Sequence, residues 1–489
     1  MNPPNEDRSS AEPAAGPAGG PTAATPPPGC PAHDLGPGGL RRLYGPEADA
    51  DPLALYEKLR AEHGAVAPVL VHGDLPAWLV LGHRENLEVA RTSTLYSRDS
   101  RRWRDMAEGN VPPEHPLTPL TAWQPLCVFA DGTEHERLRR AVTDSLSRFE
   151  ARGIRRYVTR FSHHLIDGFV STGRADLVDR FAAQLPLRVV TQLFGMSEDY
   201  GPRLVDAARD MLGGTETAVA SNDYITETLQ QLVERKRATP GHDVASKLIE
   251  HPAGLSDEEV REHLRVVLVS ANEPTVNLIA NTLRVILTDR RFRANLTGGH
   301  MTLPDALEQV LWDDPPMTTN LGRWATGDVE LAGARIKKGD MLLLGLAAGN
   351  ADPAIRPDTT AAVHGNRSHL AFSGGPHECP GQDLGRAIAD TGIDILLSRL
   401  PDLRLAVPED ELTWNASLMS RPLAALPVEF TPGRPRTDRG APVSGGSVRA
   451  ELPPHQGVPA TPVPAAAPAG PPATGSRRAS VLRRLRGRR

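Results

Sequence analysis

Cysteine and long apolar runs are both scarce in this chain of 489 residues. The three cysteines, Cys30, Cys127 and Cys379, are far apart, which excludes a disulfide framework and is typical of a reducing compartment. The longest apolar stretches, such as residues 341–348, are much shorter than the roughly 20 residues of a membrane-spanning helix. The N-terminus shows no charged segment followed by an apolar one, so we expect no signal peptide. These absences predict a soluble, cytoplasmic protein without a membrane span.

Common nucleotide-binding and hydrolase motifs are absent as well. The chain contains no Gly-x-Ser-x-Gly sequence, no phosphate-binding loop and no glycine-rich dinucleotide fingerprint. We therefore expect no nicotinamide or flavin site, and the electrons for any redox reaction must come from another protein.

The two ends differ in composition from the rest of the chain. Residues 1–33 are a mixture of Pro, Ala, Gly and Thr with few large apolar side chains, and residues 433–489 are similar. Such segments cannot bury enough surface to offset the entropy of ordering, so we predict that both are disordered. Residues 34–432 contain no comparable linker and are predicted to form one domain.

Charge is distributed unevenly along the chain, whose formal net charge is −5. Residues 477–489 contain seven arginines and no acid, and without them 48 basic and 60 acidic residues remain, a formal charge of −12. An acidic body argues against nucleic acid as a partner. The basic tail either contacts an acidic partner or an anionic surface through a short amphipathic helix, or stays solvated and disordered.

Helical periodicity dominates the central region. It predicts helices at residues 53–63, 134–146, 155–170, 224–237, 256–288 and 304–312, and extended segments at 66–71, 78–81 and 329–336. Ser256 and Glu259 form the pattern of a capping box at the start of the longest helix. We predict a mainly α fold with a minor β region.

A glycine-rich loop around Cys379 is the most informative segment. Residues 371–389 combine glycines, which let the backbone approach a flat ligand closely, with a single cysteine and a helix that opens at Pro380. A thiol at a helix N-terminus faces unpaired amides, which favours the thiolate. The alternatives are a buried structural cysteine or a zinc site with His377, although zinc lacks further ligands because no Cys-x-x-Cys is present.

The loop resembles the haem-binding signature of cytochromes P450. The matching positions are Phe372, Gly375, His377, Cys379, Gly381, Leu384 and Arg386. The resemblance implies the cytochrome P450 fold and haem b, with Cys379 as the axial ligand of the iron, Phe372 beside the sulfur and His377 at a haem propionate. A thiolate ligand favours O–O cleavage at such an iron. Ser373 departs from the pattern, because glycine is usual at that position.

Two further segments resemble the same family. The segment from Asp131 to Arg139 resembles the helix whose His and Arg, here His135 and Arg139, clamp a propionate in the family. The segment around Arg323 resembles the strand whose arginine contacts the other propionate. The resemblance extends over residues 34–432.

The long helix departs from the family where dioxygen is usually handled. The usual acid and threonine pair is replaced by Glu273 and Pro274, so the acid is retained and the alcohol is lost. Proline inside a helix also removes the hydrogen bond to the carbonyl of Ser270 and costs about 3 kcal/mol. We expect Glu273 and Thr275, with Asn272, water or a substrate hydroxyl, to provide protons; the alternative is that Pro274 merely kinks a core helix.

A second departure concerns a conserved ion network of the family. Gln309 and Trp312 stand where the family has a Glu-x-x-Arg pair, Glu308 is one position early, and Thr359 lies where an arginine usually completes the network. Replacing a whole buried ion network by neutral groups can be nearly neutral in stability, so we expect Gln309 and Trp312 to repack the space. The chain is similar to an actinobacterial subset with this replacement.

These features predict a monooxygenase that oxidises a small organic molecule with electrons from a ferredoxin, which is the donor that the resemblance implies. The lost alcohol keeps two alternatives open: a haem-binding accessory or sensor protein with little turnover, and a peroxide-driven oxidase. Members of the similar subset lie beside genes for small signalling proteins, which adds a signalling protein to the candidate partners.

Overall fold

Amphipathic helices make up most of the described chain, as the periodicity predicts. The computed structural model describes residues 39–436, except residues 150, 198, 214–217, 360, 362, 364 and 416. The disorder predicted for residues 1–33 and 437–489 lies outside the described residues. The tail residues 433–436 are described, and the amide of Gly433 donates to the carbonyl of Val170 at 2.9 Å.

The helices and strands are numbered in chain order. The helices are α1 (Pro46–Ala50), α2 (Pro52–His63), α3 (His83–Arg91), α4 (Arg104–Ala107), α5 (Thr118–Thr121), α6 (Gly132–Ser147), α7 (Ala151–Asp167), α8 (Leu185–Leu193), α9 (Tyr200–Gly213), α10 (Ala218–Ala238), α11 (Val244–Ile249), α12 (Asp257–Thr288), α13 (Arg290–Thr297), α14 (Leu303–Asp313), α15 (Leu346–Asn350) and α16 (Gln382–Arg399). The strands are β1 (Arg41–Arg42), β2 (Val66–Val71), β3 (Leu75–Val80), β4 (Tyr96–Ser97), β5 (Arg174–Asp176), β6 (Asn320–Ala325), β7 (Val329–Leu331), β8 (Ala334–Ile336), β9 (Met341–Leu344), β10 (Arg404–Leu405) and β11 (Pro427–Glu429).

The predicted helices are confirmed, with ends that differ by a few residues. The capping box at the start of α12 is present, because the Ser256 hydroxyl accepts from the Glu259 amide and the Glu259 carboxylate accepts from the Ser256 amide. The single extended segment predicted at residues 329–336 is instead a hairpin of β7 and β8. Ala332 and Gly333 both have positive φ, at 47° and 84°, which forms the tight turn between the strands.

The largest sheet has six strands in the order β1-β2-β3-β9-β6-β4. β9 pairs with β3 in parallel, with Trp78 opposite Leu342, and with β6 antiparallel, with Arg323 opposite the same Leu342. Arg323 therefore lies on an inner strand and is 1% exposed. The sheet fixes this guanidinium in the interior of the protein.

The main hydrophobic core lies among the long helices. α7, α8, α10, α12 and α16 contribute fully buried side chains to it, and α12 packs against both α8 and α16. Burying one such Leu or Ile side chain contributes about 1.5–3 kcal/mol, so these contacts hold α12 and α16 in place beside the cysteine loop. No helix in residues 39–436, as far as they are described, is both long and apolar enough to cross a membrane.

Candidate active site

The loop before α16 is held in one conformation by short backbone hydrogen bonds. The Cys379 amide donates to the carbonyl of Phe372 at 3.0 Å, and the Glu378 amide donates to the carbonyl of Gly375 at 3.0 Å. Gly375 has φ of 69°, and a side chain there would place Cβ 2.5 Å from the carbonyl oxygen of Ala90 on α3. The loop therefore packs directly on the backbone of α3, which only glycine permits.

Ser373 adopts the left-handed conformation in the same loop, with φ of 60°. This backbone geometry favours glycine, which explains why the departure from the family pattern at this position carries strain. The Ser373 hydroxyl is buried and has no hydrogen-bond partner among the described residues.

Cys379 lies half-buried at the end of this loop, before α16. The helix begins at Gln382, with Gly381 as its N-cap residue, so the prediction that it opens at Pro380 was wrong by one to two residues. Burial raises the pKa of the Cys379 thiol and outweighs the hydrogen bond from the Gly381 amide. That the helix N-terminus favours a thiolate at Cys379 stays a prediction.

His135, His377 and Arg323 meet in a buried cluster that carries several unpaired polar atoms. The His135 and His377 rings lie 4.0 Å apart between centroids, and the two residues come from α6 and from the cysteine loop. Nε2 of each histidine, and Nε and Nη1 of Arg323, have no hydrogen-bond partner among the residues that the structure describes. Leaving buried polar groups unpaired costs about 1–3 kcal/mol each, and more when the group is charged.

The electrostatics of this cluster favour an anion. Burial, with the charges of Arg98 and Asp131 as smaller influences, lowers the pKa of Arg323 to about 9. Burial also lowers the pKa of His377 to about 3, and the neighbouring Arg323 and Arg98 act in the same direction. A carboxylate placed here would pair with Arg323 and accept from the histidines. The two propionates of the implied haem have this chemistry, so the residues present fit the group.

Arg98 belongs to this cluster, although no sequence pattern predicted it. Its Nη1 donates to the carbonyls of Leu321 and Gly322 at 2.7 and 2.6 Å, and its Nε donates to the carbonyl of Val128 at 3.0 Å. Burial lowers the pKa of Arg98 to about 10. Arg98 thereby holds the start of β6, and no local pattern in its loop marks such a role.

Asp131 lies between Arg98 and His377. Its Oδ2 accepts from the Ser97 hydroxyl at 2.5 Å and from the Arg98 amide at 3.0 Å. Its Oδ1 lies 3.5 Å from Nε2 of His377, which is too long for a good hydrogen bond. Asp131 thus orders the backbone beside the cluster and leaves His377 Nε2 available to a ligand.

Arg139 lies one helical turn after His135, on the face predicted. Its guanidinium donates to the carbonyl of Glu378, next to Cys379, and its Nε donates to the Thr143 hydroxyl at 3.3 Å. The structure thus brings His135 and Arg139 to the same loop but to different residues of it. A propionate contact for Arg139 stays a prediction.

α12 runs without interruption through Pro274, from Asp257 to Thr288. Glu273 is half-buried, and its Oε1 accepts a 2.5 Å hydrogen bond from the hydroxyl of Ser420.

Thr275 is buried and faces α16, where a Cβ added to Gly385 would lie 3.7 Å from the Oγ1 of Thr275. Residues two apart on a helix point in nearly opposite directions, so the structure does not bring Glu273 and Thr275 together. Ser420 was not found from the sequence, because it lies almost 150 positions away.

A buried ion cluster forms at Glu308, where the sequence analysis expected neutral groups. Glu308 is 3% exposed, and its carboxylate accepts from Nε and Nη2 of Arg386 at 2.6 and 3.2 Å. Nε2 of His369 lies 3.0 Å from Oε2, the same oxygen that accepts from Nη2 of Arg386. The expectation was wrong because one residue along a helix is a rotation of about 100°, so Glu308 faces α16 while Gln309 does not. The Arg386 guanidinium also lies 4.5 Å above the ring of Phe372 in the cysteine loop.

Gln309 and Trp312 both contact the segment that precedes the cysteine loop. Oε1 of Gln309 accepts from the Val363 amide at 3.1 Å, and Nε1 of Trp312 donates to the carbonyl of Asn366 at 2.7 Å. Arg356, whose guanidinium lies over the Trp312 ring, donates to the carbonyl of Thr359 at 2.8 Å. Gln309 is only half-buried and Glu308 holds the ion cluster, so Gln309 and Trp312 pack against this segment and do not replace an ion network.

The similarity of the chain to known proteins spans most of its described residues. No protein-family model matches the chain. The cytochrome P450 monooxygenase PikC of Streptomyces venezuelae is 31% identical over 421 residues, which cover 83% of this chain and 95% of that protein. The 2-hydroxy-5-methyl-1-naphthoate 7-hydroxylase of Streptomyces carzinostaticus is 29% identical over 381 residues, which cover 76% of this chain and 93% of that protein.

Solved structures show the same similarity in three dimensions. CYP154A1 from Streptomyces coelicolor A3(2) superposes with a TM-score of 0.68 at 30% identity, covering 78% of this chain and 98% of that one. CYP154C4 from Streptomyces sp. W2061 superposes with a TM-score of 0.72 at 25% identity, covering 79% of this chain and 97% of that one.

Proposed function

This chain belongs to the cytochrome P450 family and is a haem monooxygenase, and on that premise we propose that it oxidises a small organic molecule with electrons from a ferredoxin. We include in the proposal a cytoplasmic location, where its cysteines stay reduced. The observation that carries the proposal is the cysteine loop beside a buried set of unpaired cationic and imidazole groups.

Each predicted site residue has a role in the proposal. Cys379 would hold the haem iron through its sulfur, and the loop hydrogen bond from its amide to the Phe372 carbonyl, together with the Gly381 turn, would keep the sulfur in place. His135, Arg323 and His377 hold the propionates, with Arg139 at the edge of the same loop. When bound, the haem supplies an iron whose thiolate ligand favours cleavage of the O–O bond.

Glu273 handles protons in the proposal, since it is the ionisable side chain that α12 carries beside Pro274. Thr275 faces away from Glu273, toward Gly385 on α16. In the proposal its hydroxyl therefore exchanges protons independently of Glu273. Because this family member has no fingerprint for a nicotinamide or flavin, its electrons come from a separate protein. The named relatives include hydroxylases of organic molecules, which supports that class of substrate.

The first test is the Soret band of the reduced protein with carbon monoxide. We expect a strongly red-shifted band in the wild type and its loss in Cys379→Ser. Cys127→Ser is the matched control, because Cys127 is also a free cysteine but is buried in a different segment. A band typical of histidine or protonated-thiol ligation in the wild type, or a normal band in Cys379→Ser, would contradict the proposal.

A haem-binding sensor or accessory role is the second candidate, and Pro274 is the observation that favours it. Proline offers no hydroxyl at the position where the family usually has one. Electrons from a surrogate ferredoxin system should give substrate-dependent NADH use with product if the protein is a monooxygenase. Complete diversion of electrons to peroxide with every ligand would favour the sensor role, whereas product formed only with added peroxide would favour the peroxide-driven oxidase.

A further inference from the structure

Ser420 connects Glu273 to a part of the molecule outside α12. It is 2% exposed, and its Oγ donates to Oε1 of Glu273 at 2.5 Å. A serine hydroxyl is both a donor and an acceptor, so a buried one that donates to a carboxylate is free to accept a proton from a second group. Ser420 lies in a hairpin that is closed by an antiparallel bridge between Trp414 and Leu423, and the second group is present on the same hairpin.

Ser417 is that group, and it is exposed to solvent. Its Oγ lies 3.0 Å from Oγ of Ser420, and the Ser420 amide donates to it at 3.1 Å. Two hydrogen bonds hold the tip of this hairpin, residues 418–419, against the segment before β6. The Thr319 hydroxyl donates to the carbonyl of Leu418 at 2.6 Å, and the Thr318 amide donates to the carbonyl of Met419 at 2.8 Å. The Ser417 hydroxyl also lies 3.2 Å from the carbonyl of Ser420, so it can donate either to that carbonyl or to the Ser420 hydroxyl, which contacts Glu273.

A small cleft reaches the hairpin from the side of α1 and α2. Its lining includes both serines, Thr318, the buried Tyr56 and the exposed Asp49. Its volume of about 10 Å³ for a water-sized sphere is close to what one water needs. Asp49 and Ser417 are both exposed and line this cleft, so solvent reaches Ser417.

We propose that Ser417 and Ser420 form a proton relay from this cleft to Glu273, an inference that rests on the proposed monooxygenase function. A hydronium ion in the cleft gives a proton to the Ser417 hydroxyl and remains as neutral water, while Ser417 releases its own proton to Ser420. The Ser420 hydroxyl in turn releases its proton to the Glu273 carboxylate. One O–H bond forms and one breaks at each serine, so both end neutral and one proton has moved inward. The relay supplies Glu273 with protons from solvent.

Ser420→Ala, Ser420→Thr and Thr319→Val together test the relay. Thr319→Val is the matched control, because it loosens the hairpin tip and leaves the hydroxyl chain intact. Direct acid–base groups contribute about 10²–10⁴-fold to rates, and water partly substitutes for a relay, so we expect Ser420→Ala to lower the fraction of NADH converted to product by about 10-fold. Ser420→Thr should restore it, and Thr319→Val should match the wild type. Ser417→Ala, at the solvent end, should show a smaller loss, because water can replace its hydroxyl.

Two readouts separate proton transfer from a structural effect. The solvent deuterium isotope effect on product formation should rise in Ser420→Ala but not in Thr319→Val. In pH-difference infrared spectra of the ferric protein, the carboxyl band that disappears in Glu273→Gln should shift in Ser420→Ala, whether or not turnover is detected. An unshifted band, an unchanged isotope effect, or an equal coupling loss in Thr319→Val would overturn the relay.

The Soret band of the reduced protein with carbon monoxide distinguishes this inference from the proposed function. A red-shifted band in all these variants with a coupling loss confined to Ser420→Ala supports both. A normal band with no coupling loss in Ser420→Ala overturns the relay alone. Absence of the band from the wild type overturns the proposed function, and the relay is overturned with it because it rests on that function.

Discussion

The substitution Glu308→Gln measures how much the ion cluster around this carboxylate contributes to the free energy of unfolding. Glutamine keeps the shape of the side chain but removes the charge that Arg386 and His369 face. Breaking a buried ion pair by removing one partner typically costs about 3–5 kcal/mol, because the other charge is left buried. The structure allows a separate estimate of this cost.

Burial acts to raise the pKa of Glu308, but the hydrogen bonds and charges of His369 and Arg386 outweigh it and lower the pKa from 4.5 to about 2. At roughly 1.4 kcal/mol for each pKa unit, this difference corresponds to about 3 kcal/mol of stability. Because the folded-state pKa is below the unfolded-state value, the contribution is present in full above about pH 4.5. It is lost as the pH falls toward 2.

Urea unfolding followed by circular dichroism is the assay. At pH 7 we expect Glu308→Gln to lose about 3 kcal/mol of the free energy of unfolding. Glu409→Gln is the control, because Glu409 is exposed and its 3.4 Å contact with Arg284 should be worth less than about 1 kcal/mol. Between pH 4.5 and 2 the wild type should lose more stability than Glu308→Gln. A loss below 1 kcal/mol at pH 7, or parallel acid profiles for the two proteins, would refute the reasoning.

Three further substitutions have expected outcomes. Ser373→Gly should stabilise the protein by about 1 kcal/mol in urea unfolding, because glycine accepts the left-handed φ of 60° without strain; an unchanged midpoint would contradict this. Arg323→Met should accelerate haem transfer to apomyoglobin by about 10–100-fold, since hydrogen bonds to charged groups contribute about 1.5–3 kcal/mol, whereas the exposed Arg335→Met should not. Trp312→Phe should cost about 1 kcal/mol in thermal unfolding through loss of the bond to the Asn366 carbonyl, and equal stability would show that the bond contributes nothing.

The parts of the site that could be predicted from the sequence are those whose residues lie close together along the chain. The cysteine loop, its glycines and the i,i+4 pair of His135 and Arg139 each lie within one segment, so their proximity follows from local geometry. Arg323 could be assigned only through the family resemblance, because its burial depends on pairing of β6 with β9.

The residues missed are those whose partners are distant in the chain. Ser420 meets Glu273, and Arg98 meets the carbonyls of Leu321 and Gly322, through folding of segments separated by well over one hundred positions. Glu308 was misjudged for a different reason, because motif alignment fixed its register but not the direction in which α14 turns it. The start of α16 was misplaced because Pro380 and Gly381 form a turn before the first helical residue.

The parallel pairing of β3 with β9 constrains how the protein can be made. The central sheet is complete only after Leu342 has been synthesised and has paired with Trp78. At about 5–20 residues per second, a ribosome needs roughly 10–50 s to synthesise the intervening chain. Throughout that interval strand β3 has no β9 to cover its open edge, and such edges promote aggregation. Cys379 emerges later still, so the nascent chain exposes this edge before the cysteine loop has been synthesised.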